Sequence, residues 1–437
     1  MEDDEDKPRV QEHCQGWVLL LTMCAAGIGG TFQYGYNLTI INAPTFHIQK
    51  FVNETWLERS GSKLDSWIIT LIWSIIVSVY PLGGFLGALL AGPMAIKLGR
   101  CQHECPAYVP WRKCPQEAPW ELLGSEETWP LLLASNVIPA VLQVLVLPWL
   151  PESPRYLLID LKDRDSCVSA LQRLRGHCNL SDEMEEMLAE QAAIKGQKPK
   201  NLLSLVQDPL LRRQLLTIVV LSSAMQLCGN DSMYFYASYI FNEAGIPPEK
   251  IPYVVIGTGS CELITSLTCT LFIDRVGRRA LVMGGYSMMS VWAVVFMVAL
   301  SQQEKVSWMP YLSMVCIFAY ILSFGIGPAG VTGIMPAEIF DQMARPAAYM
   351  ICGSLIWIML FIVGLAFPFI VQGLGHFCYL PFMVVCVSTA VYVRFFLPET
   401  KGKSLLEITE EFAKHRAKSH EEQNGWIAPM EIKSTML

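Results

Sequence analysis

The chain has 437 residues, of which 52% are hydrophobic and only 16% charged, with a mean hydropathy of +0.36 and a formal net charge of -7. A soluble chain carries roughly 25% charged residues, and the apolar blocks here run to 20 or more residues. That excludes a soluble enzyme and a collagenous, coiled-coil or disordered chain, and no basic patch points to nucleic acid.

Residues 1–16 are acidic, led by Glu2-Asp3-Asp4-Glu5-Asp6, and lack the positive n-region of a signal peptide, so the first helix is expected to stay. Runs long enough to cross about 30 Å of hydrocarbon occur near 17–42, 67–92, 129–150, 215–240, 252–273, 280–300, 309–333, 347–371 and 377–397. The expected fold class is an all-α polytopic membrane protein with about nine transmembrane helices. Of 14 cysteines, Cys24, Cys228, Cys261, Cys269, Cys316, Cys352 and Cys386 fall inside these runs and read as small hydrophobes.

Basic residues set the sidedness. Segment 151–213 carries ten Lys and Arg and the tail from Pro398 carries six, while the loops between them alternate rich and poor. Both therefore belong in the cytosol. The sequon Asn53-Glu54-Thr55 places loop 43–66 outside, and those at Asn37, Asn179 and Asn230 are expected to be silent. With the N-terminus and loop 93–128 inside, a single helix at 129–150 precedes the cytosolic segment. One helix cannot begin and end on the same side.

An internal repeat accounts for the mismatch. Gly99-Arg100 follows one apolar block and Gly277-Arg278-Arg279 another. Pro151-Glu152-Ser153-Pro154-Arg155 closes one helix and Pro398-Glu399-Thr400-Lys401-Gly402 another. In the second half 121 residues separate Gly277 from Pro398 and hold four helices; in the first, 52 separate Gly99 from Pro151 and hold one. Three helices are missing from the first copy.

These motifs carry a resemblance. Together with Gln33-Tyr34-Gly35-Tyr36-Asn37, Ile41-Asn42-Ala43-Pro44, Gly83-Gly84-Phe85-Leu86-Gly87, Trp129-Pro130-Leu131-Leu132-Leu133 and Asp274-Arg275-Val276-Gly277-Arg278-Arg279, they resemble the sugar porters of the major facilitator superfamily, specifically the facilitative hexose transporters. The resemblance implies two six-helix halves, with family helices three to five absent. It divides the chain into an acidic cytosolic N-terminus (1–16), a truncated N-terminal half (17–150), a cytosolic loop (151–214), a complete C-terminal half (215–397) and a cytosolic tail (398–437). A non-family insert near 101–118 contains Cys101, His103, Cys105 and Cys114, whose spacing fits no standard zinc module. No metal or cofactor is expected.

The resemblance also implies a sugar site formed by Gln33, Asn37, Gln226, Asp231, Glu262, Gly333 and Trp357. Met225 replaces one of the family's paired glutamines, and Asp231 and Glu262 replace asparagines. Gly333 replaces a tryptophan, which resembles the fructose-handling class. A charge at a helix centre costs about 2.5–3.5 kcal/mol on insertion scales. Asp231 and Glu262 therefore face a wet cavity as hydroxyl acceptors or protonatable groups, or lie near the interface or stay protonated. Glu152, Arg155, Arg278, Arg279, Glu338 and Arg345 are the candidate gate charges, or solvated charges at the membrane surface. The stretch Gly327–Gly333 reads as a flexible gate or as a kink tolerated by packing.

Asn37 stands where family symporters have an aspartate, which implies a uniporter rather than a proton-coupled carrier. The expected partners are a hexose, the lipid bilayer and a homo- or hetero-oligomer with a full-length transporter. The expected location is the plasma membrane, or retention in the endoplasmic reticulum. The function expected is facilitated hexose transport impaired by the missing helices; the alternative is a non-transporting or dominant-negative splice isoform. No nucleophile–base pair or phosphate loop supports an enzyme.

Overall fold

The structure is a computed structural model that describes residues 22, 33–40, 45–98, 128–146, 149–175, 180–194, 202–208, 211–303, 305–341, 343–403 and 407–412. All regular elements among them are helical. The chain divides into two compact units: Met1–Gly30, Pro93–Pro106 and Val137–Gln197 in one, and Thr31–Gly92, Ala107–Asn136 and Lys198–Leu437 in the other. This division cuts the chain at places other than 150 and 214. The insert at 101–118 lies outside the described residues.

The first helices are α1 (Gln33–Ile40), α2 (Thr45–Ser60) and α4 (Trp129–Ala134) in the larger unit, with α3 (Ser66–Leu98) assigned to it as far as Gly92; α5 (Val137–Val146) follows in the smaller unit. The second half of the chain contributes α9 (Leu211–Leu227), α10 (Ser232–Phe235), α11 (Ala237–Glu243), α12 (Ile251–Val276), α13 (Arg278–Gln302), α14 (Met309–Phe324), the one-turn α15 (Gly330–Thr332), α16 (Met335–Ile339), α17 (Arg345–Leu374) and α18 (Leu380–Phe396). Proline in the first turn starts six of these, including α4, α12, α14 and α17; there its missing N–H costs no helical bond. Five stretches, 66–90, 253–276, 278–302, 309–339 and 345–377, are long and apolar enough to cross a membrane, with shorter apolar helices at 129–142 and 380–396. Their outward Leu, Val and Ile, such as Leu271, Val298 and Val384, suit lipid rather than water. The protein is an integral membrane protein.

Three apolar runs are not the single helices that hydropathy predicts. The run 215–240 is interrupted at Cys228–Asp231, where Gly229 takes φ +78°, a conformation that costs a residue with a Cβ. The run 309–333 passes through a π-helical turn at Gly325–Ala329 that contains Pro328. The run 129–150 breaks at Ser135–Asn136 between α4 and α5. Polar residues fill the first and third breaks, and glycine and proline the second.

Helix α3 runs antiparallel to α17 in steady register. Gln372 donates to Thr70 at 3.3 Å, and Gly364, Trp357 and Gly353 approach Ser78, Gly84 and Ala88 in turn. Helix α4 packs beside α1 and α2: Trp129 meets Phe51 with ring centroids 5.9 Å apart, and Tyr36 and Ser135 share a hydrogen bond of 2.6 Å. Residue 129 thus sits at the end of the bundle that carries α2 and its sequon. The sequon itself is helical, and Asn53 Oδ1 is buried without a hydrogen-bond partner.

The smaller unit contains the π-helical turn Tyr156–Asp160, α6 (Arg164–Arg175) and α7 (Ser181–Ile194), closed over Leu158, Cys167, Leu171, Met184 and Met187; α8 (Leu202–Gln207) then leads back to the larger unit. Asp163 caps α6: its carboxylate accepts from Ser166 N at 3.0 Å and Ser166 Oγ at 2.7 Å. Hydropathy did not mark α2, α6 or α7, since each is short and mixed in polarity.

Candidate functional site

The break at Cys228–Asp231, between α9 and α10, organises the site. The carbonyls freed at Cys228 and Gly229 accept hydrogen bonds from Tyr320 Oη and Ser232 Oγ, both at 2.6 Å. The turn is therefore rigid although it is not helical. It carries Asp231, whose residue is 7% exposed and whose Oδ2 accepts from Tyr34 Oη of α1 at 3.2 Å. The Tyr34 ring meets the Trp357 indole edge-on with centroids 5.4 Å apart, and Tyr80 meets the same indole from α3, also at 5.4 Å. The indole floor is Gly84: a Cβ there would lie 2.3 Å from Cδ2 and Cε3. Only glycine admits the ring at that distance.

Asp231 and Trp357, from distant parts of the sequence, are thus joined through Tyr34. Glu262 on α12 and Asp231 both lie near the buried Tyr234 hydroxyl, which links Glu262 to the same cluster. Gln226 is fully buried at the end of α9, and neither its Oε1 nor its Nε2 has a hydrogen-bond partner. Gln33 and Asn37 occupy a second polar seam. Asn37 Nδ2 donates to the Gln33 carbonyl at 2.8 Å, and Asn37 Oδ1 accepts from Asn136 Nδ2 in the break between α4 and α5. Gly333 follows the one-turn α15 and is half-buried. The preceding glycines are packed tightly: a Cβ at Gly327 would lie 2.2 Å from the Leu281 carbonyl oxygen of α13. That favours a packed kink over a loose hinge.

Tyr34, Tyr80, Gly84, Ser135, Asn136 and Asn230 were absent from the expected site. Tyr34 and Gly84 lie inside the stretches 33–37 and 83–87, but nothing local to the sequence marks them as neighbours of Trp357. The signal available for Asn230 was the turn-forming run Gly229-Asn230-Asp231-Ser232 inside an apolar block.

Of the expected gate charges, Arg278 and Glu338 pair at 2.9 Å, and Arg278 also reaches Asp274 at 3.0 Å. Glu338 accepts from Thr400 Oγ1 at 2.6 Å. The Arg279 guanidinium donates to the Arg394 carbonyl, and Arg345 donates to the carbonyls of Ala337 at 2.9 Å and Phe340 at 3.4 Å. The acid that holds the start of α13 is Glu399, which the expected set omitted. Its carboxylate accepts from the backbone N–H of Arg278 at 2.8 Å and of Arg279, Thr400 and Lys401 at 3.1 Å each. A helix N-terminus favours such a charge. In the smaller unit, Glu152 accepts from Ser153 N at 3.1 Å, and Arg155 lines a cavity of about 270 Å³ beside the Arg175–Glu183 pair. Among the described residues no group of three or more His, Cys, Asp or Glu is placed to hold a metal.

The model of the family "Sugar (and other) transporter" matches residues 22–104 and 120–412. The human solute carrier family 2, facilitated glucose transporter member 11, is 48% identical over 490 residues, covering 97% of this chain and 98% of the relative. The human member 5 is 35% identical over 462 residues, covering 91% of this chain and 92% of the relative. In fold, the chain is similar to the proton:xylose symporter XylE bound to 6-bromo-6-deoxy-D-glucose, with a TM-score of 0.70 and 17% identity over 90% of this chain and 98% of that one. An inward-open XylE from E. coli aligns with a TM-score of 0.65 and 17% identity, covering 90% and 99%. The helical architecture is thus that of the major facilitator superfamily, and the chain belongs to the sugar transporter family, a family of membrane carriers and not of enzymes.

Proposed function

We propose that the chain is a facilitative hexose carrier for fructose or glucose, working by alternating access at the plasma membrane, with activity impaired by the absence of three first-half helices. The observation that carries the sugar reading is the cluster at the broken helix: a carboxylate, tyrosine hydroxyls and an indole converge from α1, α3, α10 and α17. Acceptors, donors and flat apolar faces are what a hexose needs in exchange for its water. The amide of Asn37, bonded to a carbonyl and to a second amide, cannot carry a proton and supports uniport. Impairment is supported by the alignment with the member 11 relative, which runs over 490 positions against the 437 residues of this chain, and by the unmatched segment 105–119.

Uptake by purified protein in liposomes tests this reading. D-fructose or D-glucose should enter faster than L-glucose, more slowly than through a full-length relative. Equal rates for the D- and L-sugars would sink it.

A second reading, a non-transporting isoform that associates with a full-length transporter, is favoured by the outward face of α3. Gly83 and Gly87 there face open space, flanked by exposed Val79, Leu82, Leu86 and Leu90. Small residues four apart let membrane helices pack closely. Co-expression should then lower uptake by the full-length partner, and replacing both glycines by leucine should restore it.

A further inference from the structure

We propose that Asn230 is a ligand-binding residue, and that the carboxamides of Gln226 and Asn230 together hold a neutral polyol at the helix break. This rests on the sugar-carrier reading and adds to it a residue and a ligand charge class.

Both side chains are fully buried, and all four of their polar amide atoms lack a hydrogen-bond partner. Buried polar groups are almost always bonded, because an unmade bond costs the group its full desolvation. Four orphans within five consecutive residues are a concentration that a folded core does not tolerate without something to fill it.

These amides also do nothing for the break itself. The freed carbonyls of Cys228 and Gly229 are satisfied by Tyr320 and Ser232. The carbonyls of Asn230 and Asp231 accept from the backbone N–H of Met233, Tyr234 and Phe235 at 3.1 Å each. The turn is closed without help from either carboxamide. Their polarity is left for a ligand.

The chemistry of the orphans selects the class. Each carboxamide offers an acceptor oxygen and a donor nitrogen. A cation would engage only the oxygens and an anion only the nitrogens, leaving half the set unsatisfied. A hydroxyl both donates and accepts, so adjacent hydroxyls on a polyol complete both kinds at once. The neighbouring position, Met225, is apolar and 1% exposed, where the family resemblance expects a second glutamine. Asn230 restores the second amide to the same short stretch.

The test uses the full chain, purified, with D-fructose and D-glucose as probes and L-glucose as control. It reads ligand-dependent thermal stabilisation alongside the ligand-free melting temperature. Asn230→Ala should weaken hexose binding about tenfold, equivalent to about 1.4 kcal/mol, and leave the ligand-free melting temperature unchanged or raised. Asn230→Asp, which keeps the shape but removes the donor, should weaken binding as well. If the wild type binds hexose and both variants bind it equally well, the assignment of Asn230 fails while the carrier reading stands. If both variants melt early without ligand, the amide is structural and the assignment fails too. If the wild type binds neither hexose, the carrier reading falls and takes this proposal with it.

Discussion

Replacing Gly84 by alanine tests whether the indole of Trp357 holds the site together. The added Cβ would lie 2.3 Å from Cδ2 and Cε3 and 2.6 Å from Cε2, whereas carbon atoms pack no closer than about 3.5 Å. The indole must retreat by about 1.2 Å to reach that contact distance. It is caught between Tyr34 and Tyr80, each 5.4 Å away, so retreat loosens two edge-on pairs worth about 0.5–1.5 kcal/mol each. Overpacking of this kind costs about 1–3 kcal/mol. The gain in helix propensity on replacing glycine offsets about 1 kcal/mol of it. Gly83 is the internal control: nothing lies within 4 Å of its added Cβ, so Gly83→Ala receives the propensity gain alone. Thermal unfolding in detergent should show Gly84→Ala less stable than Gly83→Ala by about 1–3 kcal/mol. Shortening the indole in the double variant Gly84→Ala, Trp357→Leu should recover part of the loss as a measurable coupling. Equal stability of the two alanine variants would refute the argument, because the indole would then have room that the structure denies it.

Other expectations follow from the hydrogen bonds. Tyr34→Phe keeps the ring against Trp357 but removes the donor to Asp231; the loss should be about 1.5–3 kcal/mol, as for bonds to charged groups, and should shrink when Asp231→Asn is already present. Glu399→Gln should lower the melting temperature, since a neutral amide oxygen replaces a charge bound by four N–H groups, while Lys401→Ala, which spares those N–H groups, should leave it nearly unchanged. In the smaller unit, the bonds from Ser166 hold the Asp163 carboxyl below the usual aspartate range. The stability it contributes is therefore present above the unfolded pKa and is lost as the pH falls through the lower folded value. Helix content should drop at higher pH in Asp163→Ala than in wild type, measured by circular dichroism.

Much of this was legible in the sequence, because membrane helices announce themselves by length. The blocks at 252–273, 280–300, 347–371 and 377–397 match α12, α13, α17 and α18 to within a few residues. Hydropathy averaged over such a block hides the breaks. Gly229 and the polar residues after it are too few to lower the mean of 215–240, yet they end the helix. The box around Trp357 was hidden for a different reason. It depends on the register of α3 against α17, set by side-chain fit along two helices that lie far apart in sequence, Ser66–Leu98 and Arg345–Leu374. The charge set was partly visible: Arg278 and Glu338 were expected, but Glu399 looked like the end of a motif rather than a cap, since its partners are backbone groups that every residue carries.

That last point bears on how the protein tolerates change. The four groups Glu399 grips belong to the main chain, so no substitution at 278, 279, 400 or 401 except proline deletes one. The grip is blind to sequence on one side and wholly dependent on it on the other. Gly277 adds a second dependence, since a Cβ there would lie 2.7 Å from Glu399 Oε2. Genetic variation should therefore act on this cap unevenly: side-chain changes at 278, 279, 400 and 401 leave the four N–H groups in place and cost only what those side chains hold elsewhere, as Arg278 and Thr400 hold Glu338, whereas a change at Glu399 or Gly277 strikes the cap itself.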